Sequence, residues 1–223
     1  GWISSPVLYG NLVLINAENG EILVMSSHPN FDPNTLEADW DRLMQSQDAP
    51  FLNRTTQAVY PLGAAAAPFL LAAAFESTGL PALPTDLGNC AQPVETAGST
   101  PTWSAALMAG CSAPVAALAQ TLGGSAVETL FQNAGFYALP DIRLPVESAT
   151  PSSTGDSDAA ALNARLLPLN LAVAAASISN LGERPQPLLV LDMRLPGADW
   201  QSLIQYRQPQ TVFAAEAARD TMR

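Results

Sequence analysis

The feature that most constrains this fold is the stretch from Gly63 to Phe75, which is apolar at almost every position. A helix that is apolar on all sides is stable only when other elements bury it, so this stretch predicts a central helix. Pro68 is compatible with a helix only within its first turn, which places the helix start near 64–67. We expect this helix to pack near a second apolar helix, predicted at 169–181 and bounded by Pro168 and Gly182.

Strand patterns lie near both ends of the chain. Two short apolar runs at 12–15 and 22–25 flank a turn that contains Asn19 and Gly20, a pair typical of tight hairpins. Their continuous apolarity predicts a β-hairpin covered on both faces. Two further strands are predicted at 188–194 and 200–206.

Helix patterns occupy most of the chain between these strands. Besides the two apolar helices, helices are predicted at 36–44, 103–109, 113–122, 126–134 and 214–222, and loops at 80–101 and 145–158. Trp40, Met44, Phe69 and Phe75 fall at helical spacing and are predicted to be core residues. The order predicts a single α+β domain over residues 1–223, with helices packed on a small antiparallel sheet.

The composition excludes several classes of function. All nine basic residues are arginines, so no mechanism that needs a lysine base, a Schiff base or a phosphate-loop lysine is open to this chain. The net charge of −11 disfavours nucleic acid and anionic membrane surfaces as partners. With no His/Cys cluster at ligand spacing and no phosphate-loop pattern, we expect no cofactor and no metal.

The apolar stretches, the first residues and the cysteines of the chain are informative about the cellular location of the protein. No apolar stretch is long enough to span a bilayer, and the opening segment 1–5 lacks the basic start and apolar run of a signal peptide. Cys90 and Cys111 do not have metal-ligand spacing. In an oxidising compartment they could form a disulfide.

Several segments of the chain occur in the order known from one protein family. Segment 20–25 is similar to that family's Gly-Glu-Ile-Leu-Ala-Met strand, and 27–34 to its Ser-x-Pro-x-(Phe/Tyr)-Asp-Pro-Asn segment. Segment 52–63 resembles the Leu-Asn-Arg-Ala-Thr-Gln-x-x-Tyr-Pro-Pro-Gly run that precedes the family's nucleophile. Similar segments continue at 103–136, 168–172, 178–182 and 187–190. The chain thus resembles the transpeptidase domain of class B penicillin-binding proteins over most of its length, which implies a penicillin-binding-protein/β-lactamase-like transpeptidase fold.

The resemblance also indicates where the family's catalytic groups would lie. In active members a Ser-x-x-Lys motif opens the buried helix, and the lysine one turn later accepts the proton of the attacking serine. The resemblance matches these two positions with Ala64 and Ala67, and the family's Ser-x-Asn motif with Gly110 and Ser112. No Lys-Thr-Gly motif occurs. Either the chain ends before the last family strands, or residues 188–206 replace them.

These substitutions predict that the chain is not an enzyme but a catalytically inactive scaffold or regulator in cell-envelope assembly. Its expected partners are other envelope, division or elongation proteins, and its expected location is extracytoplasmic, as a soluble part of a membrane-anchored protein. Passive spacing of other domains and residual binding of peptidoglycan peptide or β-lactam stay open as alternatives. A further alternative is acyl transfer by Cys111, which needs a thiolate-stabilising partner. The single histidine, His28, is distant in sequence, which favours a disulfide with Cys90 or a core position for Cys111.

Overall fold

The computed structural model describes residues 9–94, 100–149, 163–204 and 208–223, and it has the predicted α+β composition. The strands are β1 (Gly10–Ile15), β2 (Ile22–His28), β3 (Tyr60–Pro61), β4 (Arg165–Leu166), β5 (Glu183–Arg184), β6 (Asp192–Met193), β7 (Gln201–Ser202) and β8 (Gln210–Thr211). The helices are α1 (Leu36–Met44), α2 (Ala67–Ser77), α3 (Trp103–Met108), α4 (Ser112–Leu122), α5 (Gly124–Asn133), α6 (Pro168–Ser179) and α7 (Ala215–Thr221). A single 3-10 turn, Gly63–Ala66, leads directly into α2.

Helix α2 lies in the middle of the largest core, as predicted. Helices α4, α5 and α7 pack around it, and α6 contributes Ala174 and Ile178 to the same core. The buried ring of Phe69 meets Phe136 edge-on with 5.0 Å between ring centroids, and Phe131 lies 4.7 Å from Phe136. Each such aromatic pair contributes about 0.5–1.5 kcal/mol beyond the burial of its area. This cluster fixes α2 against the chain that follows α5.

The β1–β2 hairpin forms where predicted, but only one of its faces is covered. Val13 and Ile15 point toward α6, where they pack in one apolar cluster with Leu169 of that helix and with Ile142. On the outer side, Leu12 is 58%, Leu14 51% and Leu23 57% exposed. The prediction of strands covered on both faces is therefore wrong. A continuous apolar run predicts a strand, but it does not show whether other elements cover one face of that strand or both faces.

The strands of the last third differ most from the prediction. Instead of strands at 188–194 and 200–206, only the two-residue pairs of β6 with β7 and of β5 with β8 form. The described residues thus contain four two-stranded antiparallel sheets and not one small sheet. The end of the predicted strand at 205–206 lies outside the described residues, as do 95–99 and 150–158 of the predicted loops and the opening segment 1–5.

The turn of the hairpin is fixed to a distant segment of the chain. Gly20 accepts a hydrogen bond from the amide of Leu188 at 2.8 Å, and the amide of Ile22 donates to the carbonyl of Leu188 at 2.9 Å. Gly20 has a φ of +81°, and a Cβ at this position would lie 1.8 Å from the carbonyl oxygen of Gln186. Only glycine allows the turn and the segment to approach this closely.

We expect Gly20→Ala to lower the free energy of unfolding by about 3 kcal/mol, because it adds a backbone overlap to the cost of a positive φ. Gly79→Ala is the matched control, since Gly79 has a φ of +73° and open space where its Cβ would lie. The control should lose only about 1–2 kcal/mol, the cost of the backbone conformation alone. Urea unfolding of the two variants checks this, and equal losses would contradict the close contact.

Candidate active-site region

The segment before α2 is held by a short pair of strands. Tyr60 lies opposite Leu166 in the β3–β4 ladder, and the amide of Leu62 donates to the carbonyl of Ala164 at 2.8 Å. The Arg165 guanidinium donates to the carbonyl of Val59 at 2.8 Å. These bonds fix the direction in which the chain enters the turn, and Gly63 makes the entry with a φ of +52°.

The positions that the resemblance matches with serine and lysine have different surroundings. Ala64 is exposed on the 3-10 turn, whereas Ala67 is 5% exposed and belongs to the main core, next to the fully buried Ala66. Helix α4 packs against the turn that carries Ala64. Both side chains are methyl groups, so neither can act as a nucleophile or accept a proton.

The region matched with the second motif forms the connection between α3 and α4. Gly110 adopts a φ of +67°, and Ser112 begins α4. The Ser112 amide donates to the carbonyl of Asn89 at 2.9 Å, and its hydroxyl oxygen accepts the amide of Asn89 at 3.2 Å. That Gly110 and Ser112 stand for this motif remains a prediction from the resemblance.

A disulfide joins this connection to the preceding loop. Cys111 is fully buried and bonded to Cys90, in a small cluster with Ala106 and Ala109. A sulfur in a disulfide has no thiolate form, so Cys111 cannot serve as the substitute nucleophile in this state. His28 lies exposed at the end of β2 and has no role in this cluster.

Two buried polar residues, Asn170 and Arg54, hold loops of this region in place, and neither was predicted from the sequence to have a role. The Asn170 amide, in the first turn of α6, donates to the carbonyls of Gly135, Phe136 and Ala138 at 3.2, 2.8 and 2.8 Å. It thereby satisfies carbonyls that follow the end of α5. The sequence feature that could have identified Asn170 is its polar side chain in the otherwise apolar first turns of α6. Arg54, only 5% exposed, donates to the carbonyls of Asp48 and Ala49 at 2.6 and 3.3 Å.

Neither a metal site nor a membrane span is found in the described part of the chain. Within it, no group of three or more His, Cys, Asp or Glu side chains is placed to hold a metal ion. None of the helices in the described ranges combines the length and apolarity needed to cross a bilayer.

Comparison with known proteins identifies the family. The family model of the penicillin binding protein transpeptidase domain matches residues 10–223, so the chain belongs to this family. The crystal structure of PBPA from Mycobacterium tuberculosis superimposes with a TM-score of 0.78 at 24% identity, over 95% of this chain and 55% of that one. The penicillin G acyl-enzyme complex of penicillin-binding protein A from the same organism gives a TM-score of 0.76 at 24% identity. These similarities confirm the predicted fold.

Curated relatives carry the name peptidoglycan D,D-transpeptidase PbpA. The relative from Mycolicibacterium smegmatis is 28% identical in an alignment of length 216 that covers 84% of this chain and 44% of the relative. The one from M. tuberculosis is 27% identical in an alignment of length 241 that covers 95% of this chain and 49% of the relative. This chain therefore spans about half the length of the curated relatives that it matches.

These names correct one prediction from the sequence. The chain was predicted not to be an enzyme, because alanines occupy positions 64 and 67. The relatives, however, are named as transpeptidases, and solved neighbours are described as acyl-enzyme complexes. The prediction is wrong at the level of the family, since the chain belongs to a family of enzymes. Alanines at two positions of one motif were therefore not sufficient grounds for the prediction that this member of the family is not an enzyme.

We expect the double variant Cys90→Ala/Cys111→Ala to unfold at lower urea concentration than the wild-type chain. The bond closes a loop over a sequence separation of 21, and removing such a cross-link costs about 3 kcal/mol. Wild-type chain treated with a reductant should shift to the same midpoint, which provides the control. Identical midpoints for oxidised, reduced and variant chains would mean that the disulfide does not stabilise the domain.

Proposed function

We propose that this chain takes part in peptidoglycan assembly in the cell envelope. Its membership of the penicillin-binding-protein transpeptidase family supports this, and so do the names of the relatives, which are peptidoglycan D,D-transpeptidases. The retained fold, with α2 enclosed by α4, α5 and α7, supports a function that depends on the shape of the domain.

Within that process the geometry favours a role in binding, as a scaffold or regulator of an envelope complex. The observation that carries this role is the start of α2, where positions 64–67 offer only methyl groups. Ala64 and Ala65 are exposed on this turn and provide apolar contact surface, whereas Ala66 and Ala67 are buried in the core beneath them. The binding partners proposed are other envelope proteins of division or elongation complexes and the peptide part of peptidoglycan.

The proposed location is outside the cytoplasm. The Cys90–Cys111 disulfide supports it, because such bonds form and persist in oxidising compartments and are rare in the cytosol. Peptidoglycan assembly would place the domain in the same compartment. The net charge of −11 keeps the domain away from anionic membrane surfaces, so contact with an envelope complex would rely on protein partners.

A second candidate role is acyl transfer, which the names of the relatives favour. With Ala64 and Ala67 in the first motif and Cys111 oxidised, Ser112 is the hydroxyl that remains at the position matched with the second motif. Its oxygen already accepts the amide of Asn89, which leaves its own hydrogen available for donation to a base.

One labelling experiment separates the two roles. The chain is incubated with a fluorescent penicillin beside an active penicillin-binding protein, and both are denatured and run on a gel. Neither role predicts an adduct at position 64 or 67, because methyl groups cannot open a β-lactam ring, so a stable adduct would form on another residue and would favour acyl transfer. Saturation-transfer NMR with a peptidoglycan stem peptide should at the same time detect contact.

The variant Ser112→Ala completes this experiment. If the wild-type chain is labelled and Ser112→Ala is not, the acyl-transfer role replaces the binding role. A label that persists in the variant would direct peptide mapping to another residue and would also contradict the binding role. A chain with neither a label nor contact with stem peptide would restrict the proposed role to protein partners.

A further inference from the structure

An exposed aromatic cluster lies on one side of α1, at the surface of the domain. The Phe51 ring lies 4.9 Å from the Phe31 ring and 5.6 Å from the Trp40 ring, measured between ring centroids. Trp40 is 49% and Phe51 37% exposed, so the cluster faces solvent although its rings pack on one another. Rings that already hold one another in place lose little freedom when a partner covers them, which favours binding.

Helix α1 continues this surface along its own axis. Met44 follows Trp40 by one turn and is 58% exposed, so the two side chains form a short apolar stripe on one side of the helix. With about 100° of rotation per residue, Glu37 and Asp41 lie next to this stripe, on the side turned away from the buried Leu43. The surface therefore combines an apolar stripe with a row of carboxylates at the same spacing.

The carboxylates beside the stripe have no cation of their own. Residues 31–44 contain four carboxylates and one arginine, so they carry three of the eleven net negative charges of the chain. That arginine, Arg42, binds Asp39 at 3.0 Å on another side of the helix. Among the described residues neither Glu37 nor Asp41 takes part in an ion pair, and these carboxylates do not form a metal-binding group.

These charges decide which kind of partner the surface fits. A row of unpaired carboxylates repels anionic polymers and attracts lysine and arginine side chains. The exposed Trp40 ring adds to this preference, because the face of an indole attracts cations as well as apolar groups. A helix that carries apolar residues on one stripe and basic residues beside it would match both features of α1.

We propose that this face of α1, formed by Glu37, Trp40, Asp41, Met44 and the adjacent Phe51, docks a basic amphipathic helix of a partner protein. The apolar stripe of that helix covers Trp40 and Met44, and its lysines or arginines pair with Glu37 and Asp41. The inference rests on the proposed binding role in envelope assembly for its setting. The face itself includes neither the turn before α2 nor the start of α4, so it is a separate surface.

The first test compares two synthetic amphipathic helices that both carry leucines on one stripe. In one peptide lysines flank the leucines, and in the other peptide glutamates take their places. Titrations followed by ¹⁵N–¹H NMR should show the lysine peptide binding about tenfold more tightly, because opposite charges meet at the rim of the face. The largest shifts should fall on residues 37–44 and on Phe51. Equal affinities, the largest shifts elsewhere, or no shift at millimolar peptide would overturn the proposal.

The second test separates this face from the net charge of the chain. Glu37→Gln/Asp41→Asn should weaken binding of the lysine peptide about fivefold, because it removes two rim charges. Glu18→Gln/Glu216→Gln removes the same charge from exposed glutamates of the hairpin turn and of α7, and should bind as the wild-type chain does. Equal losses in the two double variants would show that net charge controls binding and would overturn the proposal.

The third test removes the apolar half of the face. Trp40→Ala should weaken binding of the lysine peptide about tenfold, since tryptophans often dominate the binding energy of an interface. If urea unfolding shows that this variant is not folded, Met44→Gln replaces it and should lose about threefold. Wild-type affinity in the folded variant would overturn the proposal. No penicillin enters these tests, so their failure is distinct from a failure of the proposed function, which the labelling experiment measures.

Discussion

Helix α2 has no polar side chain before its last turn, so it is stable only when other elements of the domain bury it. The surrounding helices α4, α5 and α7 do this, and the rings of Phe69, Phe131 and Phe136 fix the contact with the chain after α5. Asn170 joins the segment after α5 to α6, because its side-chain amide in α6 donates to three backbone carbonyls of that segment. The hairpin packs on α6 in turn, so its position depends on the burial of α2 through one intermediate layer.

The alanines at 64 and 67 have a physical consequence for this arrangement. Ala67 lies in the main core, where a lysine would need a partner to compensate for the loss of hydration. A methyl group needs none, and the adjacent Ala66 is buried completely. The chain therefore combines the fold of a family of transpeptidases with an apolar helix start. This combination makes the labelling experiment informative whichever result it gives.

The sequence predicted the helices well and the later strands poorly, for physical reasons. Helix α2 and helix α6 were predictable because apolarity on all sides allows few other structures, and Pro68 limited where α2 could begin. Trp40, Met44 and Phe75 were predicted to be core residues but are 49%, 58% and 36% exposed, because helical spacing alone does not identify the side of a helix that has a packing partner. The pairing of β5 with β8 joins residues far apart in sequence, and no local pattern indicates it. Asn170 was not singled out because the carbonyls that it binds, those of Gly135, Phe136 and Ala138, come next to α6 only after folding.

The outer face of the β1–β2 hairpin bears on how the protein behaves in solution. Leu12, Leu14 and Leu23 present apolar surface on a two-stranded sheet, the kind of surface through which copies of a chain associate. At neutral pH the net charge of −11 keeps the copies apart by mutual repulsion. As the medium is acidified toward the isoelectric point, that repulsion vanishes while the leucines stay exposed. Colloidal stability in this domain therefore depends on its carboxylates, and concentrated stocks will keep best well above that point and at low ionic strength.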